Sequence, residues 1–498
     1  MLVRWMKQRM KNQHHQETVE DVYTMLTKSS DFSQYEREQN QRTYEISYFQ
    51  TLIDIDRLHR DILLHLEKAE SEELASLIEP VPIQNKLITT KAQDVRDKVM
   101  EGFIAIRDKN DPCTVALIEA GLASDRDVTT PEVEFSVSGP QEAFIESIDT
   151  NINLIRKRLP LPQLQVKELT LGKLTKTRVA VMYVEGLVDE ANLNTMLQRL
   201  NDLEYDQVFD SSSLAQMITD KTMSIFPQLI NTERPERVSA VLAEGKVAFL
   251  CDGSPEGVFG PVTLVEFFSS LEDYYLPWQI ASSVRMLRFI SVAFSILATP
   301  IYVAVLTYHY ELIPKDLLAT IMASRSNIPF PPLIEAIFLE LTIELLREAG
   351  ARLPTKVGQT IGIVGGIVIG QASVEAGLTS NVLLIIVALA ALASFTTPVY
   401  QMGNTIRLIR FPFIVSAALL GGVGVAFCGL YTLAHLLHLT SLGRPYLSPL
   451  FPPRIKDWKD AFIRMPFNYM SERPVYLRPR DKGRFNFKRA MEKHDIDE

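Results

Sequence analysis

Hydrophobic and polar positions divide the chain into two parts. Along residues 1–280 short apolar stretches alternate with polar and charged ones, whereas residues 289–438 contain long uncharged runs. The run over residues 289–310 has 22 positions without a formal charge, which is enough to cross a bilayer core of about 30 Å. The pattern therefore predicts a membrane protein with a large soluble part.

Two subdomains are predicted in the polar part, after a mobile tail over residues 1–42. The first occupies residues 43–138, where the apolar spacing changes several times between a helical and a strand period. Its expected elements are a helix over 44–77, a strand over 85–90, a helix over 95–106 and a strand over 113–118.

The second predicted subdomain occupies residues 139–280. Short β-branched runs alternate there with helical patterns, which is typical of a small α/β domain. Its expected elements are helices over 141–158 and 189–203 and strands over 179–184, 238–242 and 247–250. The predicted fold class is therefore an α/β cytoplasmic region of two subdomains, followed by an α-helical multi-pass transmembrane domain.

The transmembrane domain is predicted over residues 281–440, with a basic cytoplasmic tail over 441–498. It contains five apolar segments, over 289–310, 331–346, 357–374, 376–406 and 411–438. The segment 331–346 holds three carboxylates, which makes a lipid-facing crossing costly. It is expected to be an interfacial or re-entrant helix, which leaves four crossings. An even number fits a basic C-terminal tail and a start without an apolar signal segment, which place both termini in the cytoplasm.

Composition and motifs exclude several classes of function. The formal net charge of −9 gives no support for a nucleic-acid partner. The three cysteines, Cys113, Cys251 and Cys428, lie far apart, so the sequence predicts neither a disulfide framework nor a zinc site. The sequence contains no P-loop, nucleophile elbow, HExxH motif or dinucleotide fingerprint. We therefore expect a protein that is not an enzyme and that holds no cofactor and no metal.

A four-residue glycine repeat marks the segment 357–371. Such spacing places the glycines on one slowly drifting stripe of a helix, where a neighbouring helix can approach closely. Polar positions make the segment unsuited to a purely lipid-facing helix, and its branched apolar residues could narrow a pore. Ordinary packing within one chain is the alternative. The pore or helix-packing candidates are Gly358, Gly362, Gly366, Gly370, Gln359, Thr360, Val364 and Ile367.

Ionisable residues at membrane depth form the second set of candidates. In an oligomer, rings of carboxylates would attract cations. Structural ion pairs within the chain are the other interpretation, and the sequence leaves both open. The membrane carboxylates are Glu335, Glu340, Glu344 and Glu375, and the candidate ion-pair partners are Arg347 and Arg352.

Several ordered blocks between residues 140 and 466 resemble one family, the A subunits of spore germinant receptors, known as the GerA family. The most specific blocks are GKLTKTRVAVMYVEGLVD (172–189), LCDGSPEGVFGPVTLVEFFSSLEDYYLPW (250–278), IPFPPLIEAIFLELTIELLREAGARLP (328–354), VGQTIGIVGGIVIG (357–370) and SPLFPPRIKDWKDAFIRMP (448–466). The first 135 residues match this family only loosely.

The resemblance implies a place in the spore inner membrane and two partner proteins. These are a transporter-like B subunit that binds the nutrient and a lipoprotein C subunit. It also implies self-association as a pentamer into a channel that releases monovalent cations at the start of germination. A sporulation-specific paralogue of the stage V AF type shares these blocks and stays an alternative, as does a non-conducting scaffold. A secondary transporter is disfavoured because the apolar segments show no internal repeat.

Overall fold

The first subdomain is built on a five-stranded antiparallel sheet with the strand order β1-β2-β4-β5-β3. The computed structural model describes residues 18–39, 42–67, 74–122, 131, 134, 139–352, 366 and 368–485. The strands are β1 Phe32–Gln39, β2 Arg42–Phe49, β3 Lys86–Thr89, β4 Phe103–Asp108 and β5 Asp111–Glu119. The helices are α1 Val19–Leu26, α2 Ile55–Arg57, α3 Leu64–Glu67, α4 Leu74–Ile78 and α5 Ala92–Met100, with the π-helical Leu58–Leu63 between α2 and α3.

Residues 18–39 differ from the predicted tail. The hydroxyl of Thr18 accepts a hydrogen bond from the backbone N–H of Asp21 over 3.3 Å and so caps α1, whose apolar face is buried. β1 then pairs with β2 along its whole length. The predicted mobile tail over 1–42 is therefore wrong for this stretch, because its apolar positions complete the core of the sheet. Residues 1–17 lie outside the described residues.

Two predicted helices of the first subdomain are partly strands. β2 occupies the start of the predicted helix over 44–77, and β4 follows the end of α5 at Met100 inside the predicted helix over 95–106. Short apolar runs fit both periods, and pairing with strands distant in sequence favoured the sheet. The strands predicted over 85–90 and 113–118 are confirmed as β3 and β5.

The second subdomain is a second five-stranded antiparallel sheet, with the order β6-β7-β9-β10-β8. The strands predicted over 179–184 and 247–250 are confirmed, but 238–242 lies inside α9, which begins at Pro235, a residue suited to a first helical turn. The strands are β6 Leu164–Leu171, β7 Thr177–Val184, β8 Ile230–Thr232, β9 Val247–Cys251 and β10 Gly257–Gly260. The helices are α6 Ile148–Arg158, α7 Glu190–Asn201, α8 Ser211–Met217 and α9 Pro235–Ala243.

A buried ion pair joins the two subdomains. Arg156 of α6 and Asp31, which precedes β1, are both almost fully buried. The Arg156 guanidinium donates to the two carboxylate oxygens of Asp31 over 2.6 and 2.7 Å, and it also donates to the hydroxyl of Ser29 over 2.9 Å. Its carbon lies 4.2 Å from the ring centroid of Phe49. This two-point contact fixes the orientation of one subdomain against the other.

The helical region follows the second subdomain. Among the described helices, α10 (Trp278–Tyr308) and α14 (Tyr400–Leu437) are the two that are long and apolar enough to cross a membrane, and α10 contains most of the predicted crossing over 289–310. The helices are α10 Trp278–Tyr308, α11 Lys315–Arg325, α12 Pro332–Arg352, α13 Asn381–Ser394 and α14 Tyr400–Leu437, and residues 368–375 are also helical.

The helix α14 reverses its direction at Gly421. This residue has φ 62° and ψ −142°, a backbone conformation that is essentially restricted to glycine. Beyond it, a Cβ at Gly429 would lie 4.0 Å from the ring of Phe413. The two residues would be about 24 Å apart along a straight helix. The uncharged run over 411–438, predicted as one apolar segment, is therefore divided between two antiparallel arms.

The C-terminal segment packs on the second subdomain. It contains the short strands β11 Thr440–Ser441 and β12 Arg444–Pro445. The Arg444 guanidinium donates to Asp189 at the start of α7 over 2.8 Å, and the Tyr446 hydroxyl donates to the carbonyl of Pro227 over 2.8 Å. The region predicted as a basic cytoplasmic tail over 441–498 is thus packed on the second subdomain in its described part, and Tyr446 and Leu447 belong to the core of that subdomain.

Thiol reactivity tests the core of the second sheet. Cys251 on β9 is fully buried, and this burial raises the pKa of its thiol to about 12, whereas Cys113 on β5 is exposed. Since the thiolate is the reactive form, we expect maleimide at neutral pH to label Cys113 and to leave Cys251 unlabelled until the protein is unfolded. Mass spectrometry of labelled peptides measures this. Equal labelling rates of the two cysteines in the folded protein would contradict the burial of β9.

Candidate functional site

A buried charge cluster connects the second subdomain to the first turns of α10. Asp273 accepts hydrogen bonds from Arg285 over 3.1 Å and from Arg288 over 2.9 Å. The side chains of Asp273 and Arg285 are fully buried, and Arg285 also pairs with Asp460 of the C-terminal segment over 3.1 Å. Moving α10 relative to the subdomain would separate these charges in a buried place, which is costly.

Both ends of α14 return to the second subdomain. The Thr405 hydroxyl, near the start of α14, donates to the carbonyl of Ile225 over 2.7 Å. The His435 ring, near its end, forms a hydrogen bond of 2.9 Å with the hydroxyl of Ser224. We call this the proximal side of the helical region, and the side where α10 ends and α14 reverses the distal side.

The helices α10 and α12 connect the two sides in opposite directions. The hydroxyl of Tyr308, the last residue of α10, donates over 2.8 Å to the backbone carbonyl two residues before the reversal of α14. α12 begins on the same distal side, where Glu335 pairs with Arg325 of α11 over 2.8 Å. It ends on the proximal side, where the Arg347 guanidinium lies 4.9 Å from the ring of Phe395, just after α13.

The segment 331–346, predicted as an interfacial or re-entrant helix, is part of a longer helix that leads from the distal to the proximal side. It belongs to α12, which has 21 residues and a length of about 31 Å. Its carboxylates do not prevent this course, because Glu335 and Glu340 are buried against the neighbouring helices instead of facing outwards. The charge count did not identify the partner of Glu340, since Arg410 lies 70 residues further along the chain, and the place of α12 relative to a membrane stays a prediction.

Glu340 forms the most buried ion pair of the helical region, with Arg410 of α14. Each side chain is only 2% exposed. The Thr299 hydroxyl of α10 donates to the Glu340 carboxylate over 2.9 Å, and Arg410 donates to the hydroxyl of Ser295 over 2.7 Å. Polar side chains from α10, α12 and α14 thus form hydrogen bonds with one another at the centre of an apolar region.

Glu344 lies closer to the proximal side and is shared by two arginines. Arg347, one helical turn later, donates to it over 3.0 Å, and Arg407 of α14 lies 3.5 Å away. The second arginine candidate, Arg352, pairs instead with Glu348 over 2.8 Å, and both of these side chains are exposed. The ion-pair interpretation thus has a geometric basis for Glu344, whereas a pore-lining role stays a prediction.

The glycine stripe is described at two of its positions. A Cβ at Gly370 would lie 3.6 Å from Leu384 of α13, which is an ordinary packing contact. A Cβ at Gly366 would have no atom of the described residues beyond its own helix within 4 Å. Gly366 is therefore open to a neighbour outside the described part of this chain. The other candidates lie outside the described residues: Gly358, Gly362, Gln359, Thr360, Val364 and Ile367.

Two polar side chains are exposed on the same segment. Gln371 donates over 2.8 Å to the carboxylate of Glu375, one turn later. Both residues are exposed, and the segment then reaches the distal side, where Gly377 lies next to Asn327. An exposed carboxylate and amide in an apolar helical region need water or another protein surface around them.

A cavity of about 560 Å³ lies between the second subdomain and the C-terminal segment. The buried Lys246 ammonium at its wall pairs with Glu266 and lies 5.3 Å from the ring centroid of Phe259. The Tyr476 hydroxyl donates to Glu266 over 2.5 Å. Within the part of the chain that the structure describes, no three His, Cys, Asp or Glu side chains form a group that could hold a metal ion.

Sequence reasoning missed the arginines that pair with the membrane carboxylates. The observed partners Arg325, Arg407 and Arg410 are not among the candidate residues predicted from the sequence. A usable signal existed, since Arg407 and Arg410 stand in an apolar stretch without a carboxylate nearby in the sequence. Such isolated charges indicate partners on another helix.

The chain matches the family described as Bacillus/Clostridium GerA spore germination protein over residues 18–476. It is 52% identical over 469 residues to spore germination protein GerQA of Bacillus cereus, covering 94% of each chain. It is 48% identical over 465 residues to GerIA of Bacillus cereus, covering 93% of this chain and 69% of that protein. It is 37% identical over 453 residues to spore germination protein KA of Bacillus subtilis, covering 90% of this chain and 83% of that protein.

One solved structure is also similar, the N-terminal domain of the A subunit of the Bacillus megaterium spore germinant receptor GerK3. It shares 25% identity, covers 48% of this chain and 91% of its own, and has a TM-score of 0.38. The described structure has an α/β N-terminal region and a helical C-terminal part with two long apolar helices. The protein therefore belongs to the class in which a soluble α/β region is followed by an apolar helical region. The chain belongs to the GerA family of spore germination proteins, and the predicted resemblance to spore germinant receptor A subunits is confirmed.

Proposed function

We propose that this chain is the membrane subunit of a nutrient-responsive germination receptor and that several copies form a channel for monovalent cations in the spore inner membrane. The observation that carries this proposal is the segment around Gly366 and Glu375, which the other described residues leave exposed. The exposed Gly366 would allow a helix of another copy to approach closely. The exposed Glu375 carboxylate on the same segment would be hydrated by a water-filled path beside that contact. The chain itself would perform no catalysis.

The course of the helices supports several crossings with both ends on one side. α10 leads from the proximal to the distal side, and α12 leads back. The next described contact, between Gly377 and Asn327, is distal again, and α13 leads from there to the proximal side. The two arms of α14 add a further outward and a further inward passage. We propose that these described helices are membrane passages and that the two soluble ends face the cytoplasm.

The proposed partners follow from the family. A transporter-like B subunit would bind the nutrient, and a lipoprotein C subunit would complete the receptor. The charge cluster around Asp273 and Arg285 gives such a receptor a stiff connection between the soluble subdomains and α10. A movement that a partner protein imposes on the soluble subdomains would thereby be transmitted to α10, and a movement imposed on α10 would be transmitted to the subdomains. A pentamer is the proposed assembly of the A subunit.

Potassium efflux from liposomes tests the channel, with Gly366→Leu as the diagnostic variant. We expect the purified chain with its co-expressed partners to release potassium when nutrient is added. Gly366→Leu should lower this release about tenfold or more and reduce the oligomer, because the new side chain would hold neighbouring copies apart. The thermal midpoint of the monomer in detergent should not fall, since the position is open within the described chain.

Gly350→Leu is the matched control. Gly350 is also a helical glycine, and a Cβ there would likewise have no described atom beyond its own helix within 4 Å, but it lies on α12. This variant should conduct and assemble like the unchanged protein. Unchanged efflux and assembly in Gly366→Leu would remove the glycine-contact argument. No efflux in any combination, with folded protein confirmed, would favour the non-conducting scaffold.

A further inference from the structure

Residues 450–469 of the C-terminal segment, here called the interfacial segment, expose an unusual number of large apolar side chains. Ile455 is 79% exposed and Trp458 43% exposed, although the segment is otherwise packed on the second subdomain. A soluble surface seldom carries such a continuous set. The exposed apolar side chains of the segment are Leu450, Phe451, Ile455, Trp458, Ile463, Met465, Phe467 and Tyr469.

The interfacial segment is fastened to the first turns of α10. The Ser282 hydroxyl donates to the carbonyl of Arg464 over 3.1 Å, and the Arg464 guanidinium donates to the carbonyl of Leu276 over 3.0 Å. The ring of Phe462 lies 5.1 Å from that of Phe289, where the uncharged run of α10 begins. The segment therefore packs against α10 at the level where its polar turns give way to apolar ones.

The charges of the interfacial segment are sorted by direction. Its acidic residues turn inwards, since Asp460 pairs with Arg285 and Asp457 accepts the backbone N–H of Val475 over 2.8 Å. Its lysines, Lys456 and Lys459, are exposed among the apolar side chains, and Lys456 also pairs over 3.2 Å with the exposed Glu472 just outside the segment. Outward cations interleaved with tryptophan, tyrosine and phenylalanine are the pattern of protein surfaces at the headgroup layer of a bilayer.

We propose that the interfacial segment lies in the headgroup layer of an anionic phospholipid bilayer and holds the second subdomain against the membrane. The exposed lysines would meet lipid phosphates, while the apolar side chains reach the top of the acyl chains. The proposal rests on the proposed passage of α10 through the membrane. It adds a second, peripheral membrane contact, through a part of the chain that is not a spanning helix.

Tryptophan fluorescence in lipid nanodiscs tests the proposal. The chain contains three tryptophans, so Trp5→Phe with Trp278→Phe leaves Trp458 as the single fluorophore. In bilayers of phosphatidylcholine and phosphatidylglycerol, we expect a lipid nitroxide placed near the headgroup to quench Trp458 by about half, and a nitroxide near the chain end to quench it much less. Exchanging all phosphatidylglycerol for phosphatidylcholine should weaken this quenching, and Lys456→Glu with Lys459→Glu should remove the difference between the two bilayers.

A second single-tryptophan variant separates this proposal from the passage of α10. In it Phe294→Trp, on an exposed position of α10, replaces Trp458 as the fluorophore. The interfacial proposal would be overturned if either nitroxide quenched the tryptophan at position 294 strongly while Trp458 were quenched only by aqueous acrylamide. The proposed passage of α10 through the membrane would then remain. No lipid quenching at either position would overturn both. If Trp458 were shielded from all quenchers in the oligomer but not in the monomer, the interfacial proposal would be overturned, because a second copy of the chain would then cover this segment.

Discussion

Replacing Arg410 with methionine is expected to destabilise the helical region by about 3–5 kcal/mol. The substitution keeps most of the side-chain volume but leaves the Glu340 carboxylate buried at 2% exposure without its cation. Thr299 can still donate one hydrogen bond to Glu340, but this does not replace the lost charge. The measurement is the thermal midpoint of the purified protein in detergent, together with its amount in spores, and both should fall clearly.

Arg352→Met is the matched control for this variant. Arg352 and Glu348 form an exposed pair in the same helical region, and such pairs contribute about 0–1 kcal/mol. Replacing both buried partners, Glu340→Leu with Arg410→Met, should recover much of the lost stability, because no unpaired charge then remains. If the single and double variants melted alike, Glu340 and Arg410 would not be coupled.

The same variants distinguish the two interpretations of Glu340. If its partnership with Arg410 is structural, Glu340→Gln should change stability and leave the cation selectivity of any conductance unaltered. If Glu340 faces the pore in the open state, selectivity should change as well. Efflux of potassium against chloride in liposomes separates these outcomes. Glu375, which is exposed, is the carboxylate for which we expect selectivity to depend on charge.

Replacing Asp273 with asparagine is expected to have an effect of similar size at the proximal side. Asp273 is fully buried and accepts hydrogen bonds from Arg285 and Arg288. Asparagine retains the shape but removes the charge, so two arginines would face each other with less compensation, at a cost of about 3–5 kcal/mol. We expect earlier melting of the purified protein and a strong loss of nutrient-triggered germination.

Asp149→Asn is the control for this substitution. It weakens an ion pair with Arg178 in which both side chains are largely exposed, so we expect a change of at most about 1 kcal/mol. Unchanged melting and germination in Asp273→Asn would show that the cluster does not hold α10 to the second subdomain. Normal melting with lost germination would instead assign it a role in transmission rather than in folding.

Local pattern was a good guide to elements with strong periodicity. The run that became β7 was recognised from its β-branched residues, and α7 was recognised from its spacing. The pattern misled at 44–49 and 238–242, where a short apolar run fits either a strand or a helix. At both places the choice between strand and helix depended on which other elements of the subdomain pack against the run.

The candidate site shows the same limit. The sequence singled out Glu340 and offered Arg347 and Arg352 as neighbours within a few helical turns. The tertiary structure selected Arg410 instead, 70 residues further along the chain. The number of carboxylates in α12 therefore predicted a high cost for burying this helix. For Glu340 that cost is offset by a partner on another helix.

The amino-acid sequence by itself determined that this protein has a mixed soluble part followed by an apolar helical part, and its ordered blocks determined the family. These properties are carried by residue type and local spacing, because burial in a bilayer or a sheet core selects apolar residues position by position. Only the tertiary structure decided the reversal of α14 at Gly421, the partners of the membrane carboxylates and the docking of the C-terminal segment. Each of these depends on which distant surfaces meet, and a buried charge is stable only beside the particular partner that packing provides.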